Sequence, residues 1–349
     1  MSNVVINPYN FALPLGLGAW KELGRTTLAS PATSITVSGL PDKQYLMVLM
    51  ETHGAGGNAN WLSRIGNGTV DTGSNYARRQ SDNGAADTTA TSVTTWFEHF
   101  SASQRDRFGF QYIANTTTKE KLGVGEFVDG QTAGSGTAPS RNHVVDKWVD
   151  TSNPIDIFTL QDDNALQNFG TGSEVVILGY DPTDTHTTAD NFWEELGSVS
   201  ADGSSNTLSA SIISKKYLWV QCYEESSAGS VSFRVGNTTL DSANNYAARV
   251  SSNGGAEDVT TGIDAMMGLT STTPILWNFF IINNSANEKL AIGNVSRQTT
   301  AGAGNVPSRV EGVYKWDNTS NQIDILGFVA VTGGATILSN STLKVWGSD

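Results

Sequence analysis

Hydrophobic residues occur along this chain in short runs bounded by Gly, Asn, Asp and Ser, and helical spacing is hard to find. The runs are rich in β-branched and aromatic residues and alternate in part with polar ones, as at 217–223. This pattern predicts β-strands. The predicted strands are 34–37, 45–51, 61–65, 106–113, 121–127, 143–149, 155–160 and 175–180 in the first half, and 207–210, 217–223, 232–235, 275–282, 289–295, 312–316, 323–328 and 342–346 in the second.

The two halves of the chain are copies of each other. Equivalent residues keep their order and nearly keep their spacing, from Trp20 and Trp193 to Trp148 and Trp316. A repeat of this length predicts two whole domains, each with its own core, rather than a solenoid. The clearest repeated residues are Arg64/Arg234, Asp71/Asp241, Asn75-Tyr76/Asn245-Tyr246, Glu120-Lys121-Leu122/Glu288-Lys289-Leu290, Thr132-Ala133-Gly134/Thr300-Ala301-Gly302 and Lys147-Trp148/Lys315-Trp316.

The predicted fold class is all-β, with two tandem antiparallel β-sandwich (jelly-roll-like) domains of eight strands each, related by internal duplication. The predicted boundaries are an N-terminal arm at 1–19, the first sandwich at 20–181, a polar linker at 182–190 and the second sandwich at 191–349. The arm has no counterpart in the second copy and mixes apolar residues with Pro and Gly, so we expect it to dock on another surface, the alternative being that it packs on its own domain. Its docking residues would be Val4, Ile6, Pro8, Tyr9, Phe11 and Leu13.

Composition narrows the possible partners. The chain has 349 residues and a net charge of −13, which argues against a nucleic acid partner because phosphates would be repelled. No apolar run approaches the roughly 20 residues that span a bilayer, so membrane insertion is not expected, and neither is a signal peptide. The single cysteine, Cys222, lies in an apolar run and is expected to be buried.

Signals of catalysis are missing from the sequence. The histidines His53, His99, His143 and His186 are scattered and lack metal-ligand spacing, and there is no nucleophile elbow or phosphate-binding glycine loop. We therefore predict no catalytic residues, no metal and no cofactor. A polysaccharide-cleaving enzyme stays open as a rival, because a pair of converging carboxylates cannot be recognised from sequence alone.

The repeated block around Tyr76 has two interpretations. The favoured one is architectural: Arg64 pairs with Asp71, Asn75 supports a turn and Tyr76 caps the sandwich edge. The other is a polar and aromatic ligand patch in which tyrosine stacks on a sugar. The candidate ligand-binding residues are Asn75, Tyr76, Asn245 and Tyr246, together with Trp61 and Trp96.

The tryptophans divide into two groups. Trp20/Trp193 and Trp148/Trp316 are shared between the copies and are expected in the cores. Trp61 and Trp96 have no aromatic counterpart in the second copy, so either one, if exposed, would be a contact for a partner or a glycan.

With these motifs in view, the chain resembles virion proteins of tailed bacteriophages that carry β-sandwich modules. The resemblance covers nearly all residues after Trp20, although the usual family member has one module and this chain has two. In the first copy it is carried by Tyr45-Leu46, Arg64, Asn67-Gly68, Asp71-Thr72-Gly73-Ser74-Asn75-Tyr76, Asn115-Thr116-Thr117-Thr118-Lys119, Trp148, Ile155-Asp156-Ile157, Gly170-Thr171-Gly172-Ser173 and Leu178-Gly179-Tyr180. In the second copy it is carried by Arg234, Asp241, Asn244-Asn245-Tyr246, Trp316, Ile323-Asp324-Ile325 and Leu343-Lys344-Val345-Trp346-Gly347.

The resemblance implies a non-enzymatic viral structural protein on the virion surface, as a tail, fibre or head-surface (decoration) component. It would dock on other virion proteins by its N-terminal arm, and its long loops, 130–138 and 299–306, would offer a contact surface for coverage or host attachment. A homo-oligomer is expected, with a trimer favoured, and a host surface glycan is a possible ligand. The alternatives are a pair of carbohydrate-binding adhesin modules and a capsid shell protein.

Overall fold

The computed structural model describes residues 20–55, 60–99, 106–162, 169–184, 191–270 and 272–349. All regular secondary structure in these ranges is β-strand. No helix long and apolar enough to cross a membrane occurs in them. The arm at 1–19 and most of the predicted linker, 185–190, lie outside the described residues.

Within its described residues, the first half of the chain forms thirteen strands. They are β1 (Lys21–Thr27), β2 (Ser34–Ser38), β3 (Tyr45–Thr52), β4 (Trp61–Asn67), β5 (Thr69–Val70), β6 (Tyr76–Asp82), β7 (Thr88–Val93), β8 (Glu98–His99), β9 (Arg107–Ala114), β10 (Lys121–Asp129), β11 (Ser140–Trp148), β12 (Ile157–Asp162) and β13 (Glu174–Tyr180).

The described part of the second half repeats this set strand for strand. Its strands are β14 (Glu194–Ser200), β15 (Thr207–Ser211), β16 (Tyr217–Glu224), β17 (Ser230–Asn237), β18 (Thr239–Leu240), β19 (Tyr246–Ser252), β20 (Glu257–Ile263), β21 (Met267–Thr270), β22 (Ile275–Ile282), β23 (Lys289–Arg297), β24 (Ser308–Trp316), β25 (Ile325–Ala330) and β26 (Thr342–Ser348).

Each half folds into one large and one small antiparallel sheet. The large sheet of the first half has the order β1-β13-β3-β9-β10-β11-β6-β7, and the small one has the order β2-β12-β4-β5 with β8 beside β4. The second half has the orders β14-β26-β16-β22-β23-β24-β19-β20 and β15-β25-β17-β18, with β21 beside β17. The register is also repeated: Lys121 lies opposite Trp148 in the first half, and Lys289 opposite Trp316 in the second.

A separate apolar core fills each sandwich between its two sheets. In β3 the residues Leu46, Val48 and Met50 point into the first core, because alternate residues of a strand face opposite sides. Trp148, Trp316 and Cys222 are buried in these cores as expected. Trp20 and Trp193 both lie outside the sandwich cores, contrary to the prediction. Trp193 is buried in the apolar cluster between the sandwiches, and Trp20 is only partly buried against that cluster.

A third apolar cluster joins the two sandwiches. Met47 and Leu49 alternate with the core residues of β3 and point away from the small sheet, onto what we call the outer face of the large sheet. The outer faces of the two large sheets pack on each other, with β9 and β10 against β23. The chain is therefore four sheets deep, with the small sheets on the outside and the large ones in the middle.

The all-β sandwich prediction is confirmed, and every predicted strand is present. The predicted count of eight strands per copy is too low, since the described residues of each copy form thirteen. Besides short strands, the prediction missed β1, β6 and β7 and their counterparts. The sequence of β7, Thr-Thr-Ala-Thr-Ser-Val, is mostly exposed at a sheet edge and therefore lacks an apolar alternation.

Both copies contain an Asn-Gly turn. Asn83 and Gly84 have φ values of 48° and 66°, and Asn253 and Gly254 have 54° and 70°. Two successive positive φ angles define a type I′ turn, which matches the twist of the strands that it connects. The turns connect β6 to β7 and β19 to β20.

Candidate functional site

The repeated block of the first sandwich forms a hydrogen-bonded corner. The carboxylate of Asp71 accepts hydrogen bonds of 2.8 Å from the Gly73 N–H, from Asn75 Nδ2 and from Trp148 Nε1. The buried Tyr76 hydroxyl donates to the carbonyl oxygen of Ile65 over 2.7 Å. All polar groups of the corner are directed at one another and at the backbone.

The second sandwich has the same corner with the same distances. Asp241 accepts 2.8 Å hydrogen bonds from Asn245 Nδ2 and Trp316 Nε1, and the Tyr246 hydroxyl donates over 2.7 Å to the Val235 carbonyl. Tyr76 and Tyr246 are buried, so neither ring can stack on a ligand from solvent. The corner is architectural, and Asn75 and Asn245 serve it by binding their aspartates.

The predicted pairing of Arg64 with Asp71 is wrong. The Arg64 guanidinium donates to the carbonyl oxygen of Thr94 at 2.8 Å and to the Gln161 side chain instead. Arg234 likewise binds Asp264 rather than Asp241. In each corner the aspartate is already occupied by asparagine and tryptophan donors.

Trp61 and Trp96 are not exposed, so neither can contact a partner or a glycan at the surface. The indole N–H of Trp61 donates to Thr52 Oγ1 at 2.8 Å, and that of Trp96 donates to Gln111 Oε1 at 2.7 Å. Buried indole N–H groups usually find such an acceptor. Their lack of an aromatic counterpart in the second copy reflects different core packing.

The packed outer faces contain buried charges as well as apolar side chains. Lys216 of the second sandwich lies 2.8 Å from Glu51 and 3.1 Å from Glu174 of the first, and the Tyr217 hydroxyl donates to Glu174 at 2.8 Å. Burial raises the pKa of Glu51 although Lys216 opposes it. Burial acts in the same direction on Glu174, but Lys216 and its hydrogen bonds outweigh burial and hold its pKa below the usual value. Removal of Lys216 would leave two buried carboxylates without their shared cation.

A second set of polar contacts surrounds Arg141. Its guanidinium lies 2.8 Å from Glu257 and 3.4 Å from Glu311, both on the second sandwich. Close by, Glu126 accepts hydrogen bonds of 3.2 Å from Asn294. Burial raises the pKa of Glu126 to about 7. These contacts fix the position of one sandwich on the other, because charged and polar pairs are directional.

The loop 130–138 of the first sandwich holds a lysine of the second. Lys315, which is fully buried, donates to the carbonyl oxygens of Gly130 at 3.0 Å and Thr132 at 2.7 Å. The Glu288 side chain accepts a hydrogen bond from the Gly134 N–H of the same loop. The sequence predicted a contact surface in this loop, and here the surface is used within the chain.

An apolar groove of about 550 Å³ remains open on the outer face of the first sandwich, beyond the area that the second sandwich covers. Leu122 and Val124 on β10 are 56% and 50% exposed. The Tyr45 and Tyr180 rings stack with centroids 5.9 Å apart, and the Trp20 ring lies 6.0 Å from that of Tyr112. We call the group Trp20, Tyr45, Tyr112, Leu122, Val124 and Tyr180 the head surface.

The head surface was not predicted from the sequence. Leu122 and Val124 alternate with glycines, which marks a strand with one apolar face but does not say what covers that face. The signal that could have found it is the repeat: Leu290 and Ile292 occupy the same places in the second copy and are buried between the sandwiches.

No group of three or more metal-ligating side chains occurs among the residues that the structure describes. The carboxylates between the sandwiches pair with cations and hydrogen-bond donors of the chain itself. The head surface is an exposed apolar groove, and it is the candidate functional site.

Comparisons with known proteins add little. No family model matches the chain, and no curated protein is recognisably related to it. Among solved structures, the LG1–3 region of the laminin α2 chain matches at 8% identity and a TM-score of 0.21, over 93% of this chain and 62% of that region. Domains LG4–5 of the mouse laminin α1 chain match at 12% identity and a TM-score of 0.19, over 95% of this chain and 90% of that one. Similarity this weak supports no inference about function, and the resemblance to phage virion proteins stays a prediction.

Proposed function

We propose that this chain is a non-enzymatic structural protein, used as a tail, fibre or head-decoration component of a virus particle. We further propose that the apolar groove of the first sandwich, which we call the head surface of the chain, is a site of assembly. One observation carries the proposal. Equivalent side chains are buried against a neighbouring sandwich in the second copy, whereas in the first copy they remain apolar and exposed. A contiguous apolar patch of this kind marks a protein–protein contact.

The build of the molecule favours a mechanical role. The two sandwiches are joined by an apolar cluster, by buried charged pairs at Lys216 and Arg141 and by the hydrogen bonds of Lys315 to the loop 130–138, so we expect them to move as one body. Such a body holds its exposed loops and faces in fixed positions, which suits a building block. The side chains retained at the corners, around Asp71 and Asp241, serve the fold and leave no reactive group facing solvent.

The remaining parts of this proposal come from the sequence. The arm at 1–19 would attach the chain to other virion proteins. The rival role as a capsid shell protein predicts more extensive contacts between subunits than a decoration protein needs.

Particle analysis tests the proposal. Virus particles from a culture that expresses this gene should contain the chain, detectable by mass spectrometry, and antibody-linked gold should label one fixed position in electron micrographs. A Leu122→Asp chain should be incorporated poorly, while an Ile213→Asp chain, changed at an exposed residue outside the head surface, should be incorporated normally. Particles that lack the chain altogether would contradict the proposal.

A carbohydrate-binding module is the second candidate, because four aromatic side chains line the groove of the head surface. Aromatic rings can stack on sugar rings. The groove offers few polar partners for hydroxyl groups, so we expect weak affinity at best. Binding on a glycan array that is lost with Tyr45→Ala or Trp20→Ala would favour this candidate over the structural one.

A further inference from the structure

We propose that the chain binds a second copy of itself head to tail, with the head surface of one chain packed on the free outer face of the second sandwich of another. The contact would repeat between chains the one that joins the two sandwiches within a chain. The proposal rests on the assembly role proposed above and names the partner.

The internal contact is not symmetric. The second sandwich contributes one end of its outer face, with Tyr217, Phe280, Leu290, Ile292 and Val313. The first sandwich contributes the opposite end of its own outer face, with Met47, Leu49, Phe108, Phe110, Val128, Val176 and Leu178. Glu126 and Asn294 correspond by sequence and meet each other, but other equivalent positions are used unequally: Leu290 and Lys315 are buried in the contact, whereas Leu122 and Lys147 are exposed. Because the two sandwiches contribute different surfaces, the contact is heterologous.

A heterologous contact leaves one unused surface of each kind. The residues equivalent to Tyr217, Phe280, Leu290 and Ile292 are Tyr45, Tyr112, Leu122 and Val124. They are identical or chemically close to their counterparts, and they form the exposed head surface. The surface that binds a sandwich within the chain is thus present a second time, and among the described residues no sandwich packs on it.

The polar part of the contact is also present a second time. Lys147 and Glu120 correspond to Lys315 and Glu288, but they lie at the surface, 42% and 43% exposed, and pair with each other at 3.3 Å. The loop that receives Lys315 and Glu288 is repeated as well, since Thr300-Ala301-Gly302 corresponds to Thr132-Ala133-Gly134. In the second sandwich this loop is exposed.

The receiving surface of the second sandwich contains a cavity. We call Tyr223, Pro274, Leu276, Ser296 and the loop 298–307 the tail surface, and a cavity of about 390 Å³ lies among these residues. At the equivalent place of the first sandwich, the Leu290 side chain packs against Gly130. The cavity of the tail surface is where Leu122 of a second copy would enter.

The contact between chains should be weaker than the contact within a chain. Leu49, Phe110, Val128 and Val176 of the first sandwich are replaced by Gln221, Asn278, Ser296 and Lys344 in the second. A more polar interface is typical of reversible association. Because head binds tail, each added chain exposes a new head or a new tail, and growth continues into a ring or a filament.

The test uses two variants of the full chain. Leu122→Asp blocks the head and Leu276→Asp blocks the tail; both residues are more than half exposed, and thermal unfolding checks that both variants fold. In analytical ultracentrifugation the wild-type chain should gain mass with concentration beyond a dimer, and each variant alone should remain a monomer. An equal mixture of the two should form a dimer and nothing larger, because only one head and one tail remain usable. Ile213→Asp is the control and should associate like wild type.

Two results would overturn the proposal. One is a wild-type chain that stays monomeric at every concentration. The other is association that Leu122→Asp abolishes and Leu276→Asp does not, which would mean that two heads bind each other. A monomeric chain that is nevertheless found in virus particles would leave the structural role standing without this contact. A chain that associates head to tail but is absent from particles would support this contact and contradict the structural role in a virus.

Discussion

The outer faces of the two large sheets have equivalent ends, and these ends have different surroundings in the first and second sandwiches. In the second sandwich Leu290 and Lys315 are fully buried against the first, whereas in the first sandwich Leu122 and Lys147 are open to solvent. The sequences at these places are nearly identical. The comparison shows that duplication copies a surface together with the fold, and that a retained apolar residue need not belong to a core.

The corners around Asp71 and Asp241 show the opposite behaviour. Their hydrogen bonds have the same partners and nearly the same lengths in both copies. Residues retained for the fold therefore have equal surroundings in both sandwiches, and residues retained for contact have unequal ones.

The largest expected difference in stability between the two copies lies at the equivalent lysines Lys315 and Lys147. Lys315→Ala should lower the free energy of unfolding by about 3 kcal/mol, because Glu288 and two carbonyl oxygens lose a buried donor. Lys147→Ala should lower it by less than about 0.5 kcal/mol, since this lysine has an exposed ion pair. Urea denaturation followed by tryptophan fluorescence, at a concentration where the chain is monomeric, measures both. Equal losses would contradict the difference in surroundings.

A second difference between the copies lies at the end of β3 and β16. Glu224 of β16 is buried, and burial raises its pKa from 4.5 to about 7 against the opposing effect of Trp277. The equivalent residue of β3 is Thr52, which accepts the Trp61 hydrogen bond and does not titrate. The second sandwich alone therefore has a titrating group at this position.

Glu224 should make stability depend on pH. A raised pKa in the folded state means that its contribution is fully present below about pH 4.5 and is lost as the pH rises through 7. Glu224→Gln should match wild type at pH 4.5 and exceed it by about 2–3 kcal/mol at pH 8. Urea denaturation of both chains at several pH values gives this difference, in which other titrating groups cancel. A difference that does not change with pH would contradict the buried ionisation.

The sequence was sufficient for the fold class, the duplication and the inward-facing strands, because apolar alternation reports burial on one face. Edge strands such as β7 were missed because they lack that alternation. The candidate site was misplaced for a related reason. Tyr76 and Trp61 have polar groups that could face solvent, but inside the fold these groups donate to the Ile65 carbonyl oxygen and to Thr52 Oγ1. Such partners are distant in sequence and are seen only in the three-dimensional structure.

The smallest expected change in stability tests whether the two corners, around Asp71 and Asp241, are structurally equivalent. Tyr76→Phe and Tyr246→Phe each remove one hydroxyl that donates to a buried carbonyl oxygen over 2.7 Å. Each change should lower the free energy of unfolding by about 1 kcal/mol, because a buried acceptor loses its donor while the ring keeps its packing. The two losses should add in the double variant, since the corners share no side chain. Equal single losses support a common architectural role. A loss in only one sandwich would mean that the second hydroxyl is retained for a contact instead, and the rule drawn from the two lysines would then fail at the corners.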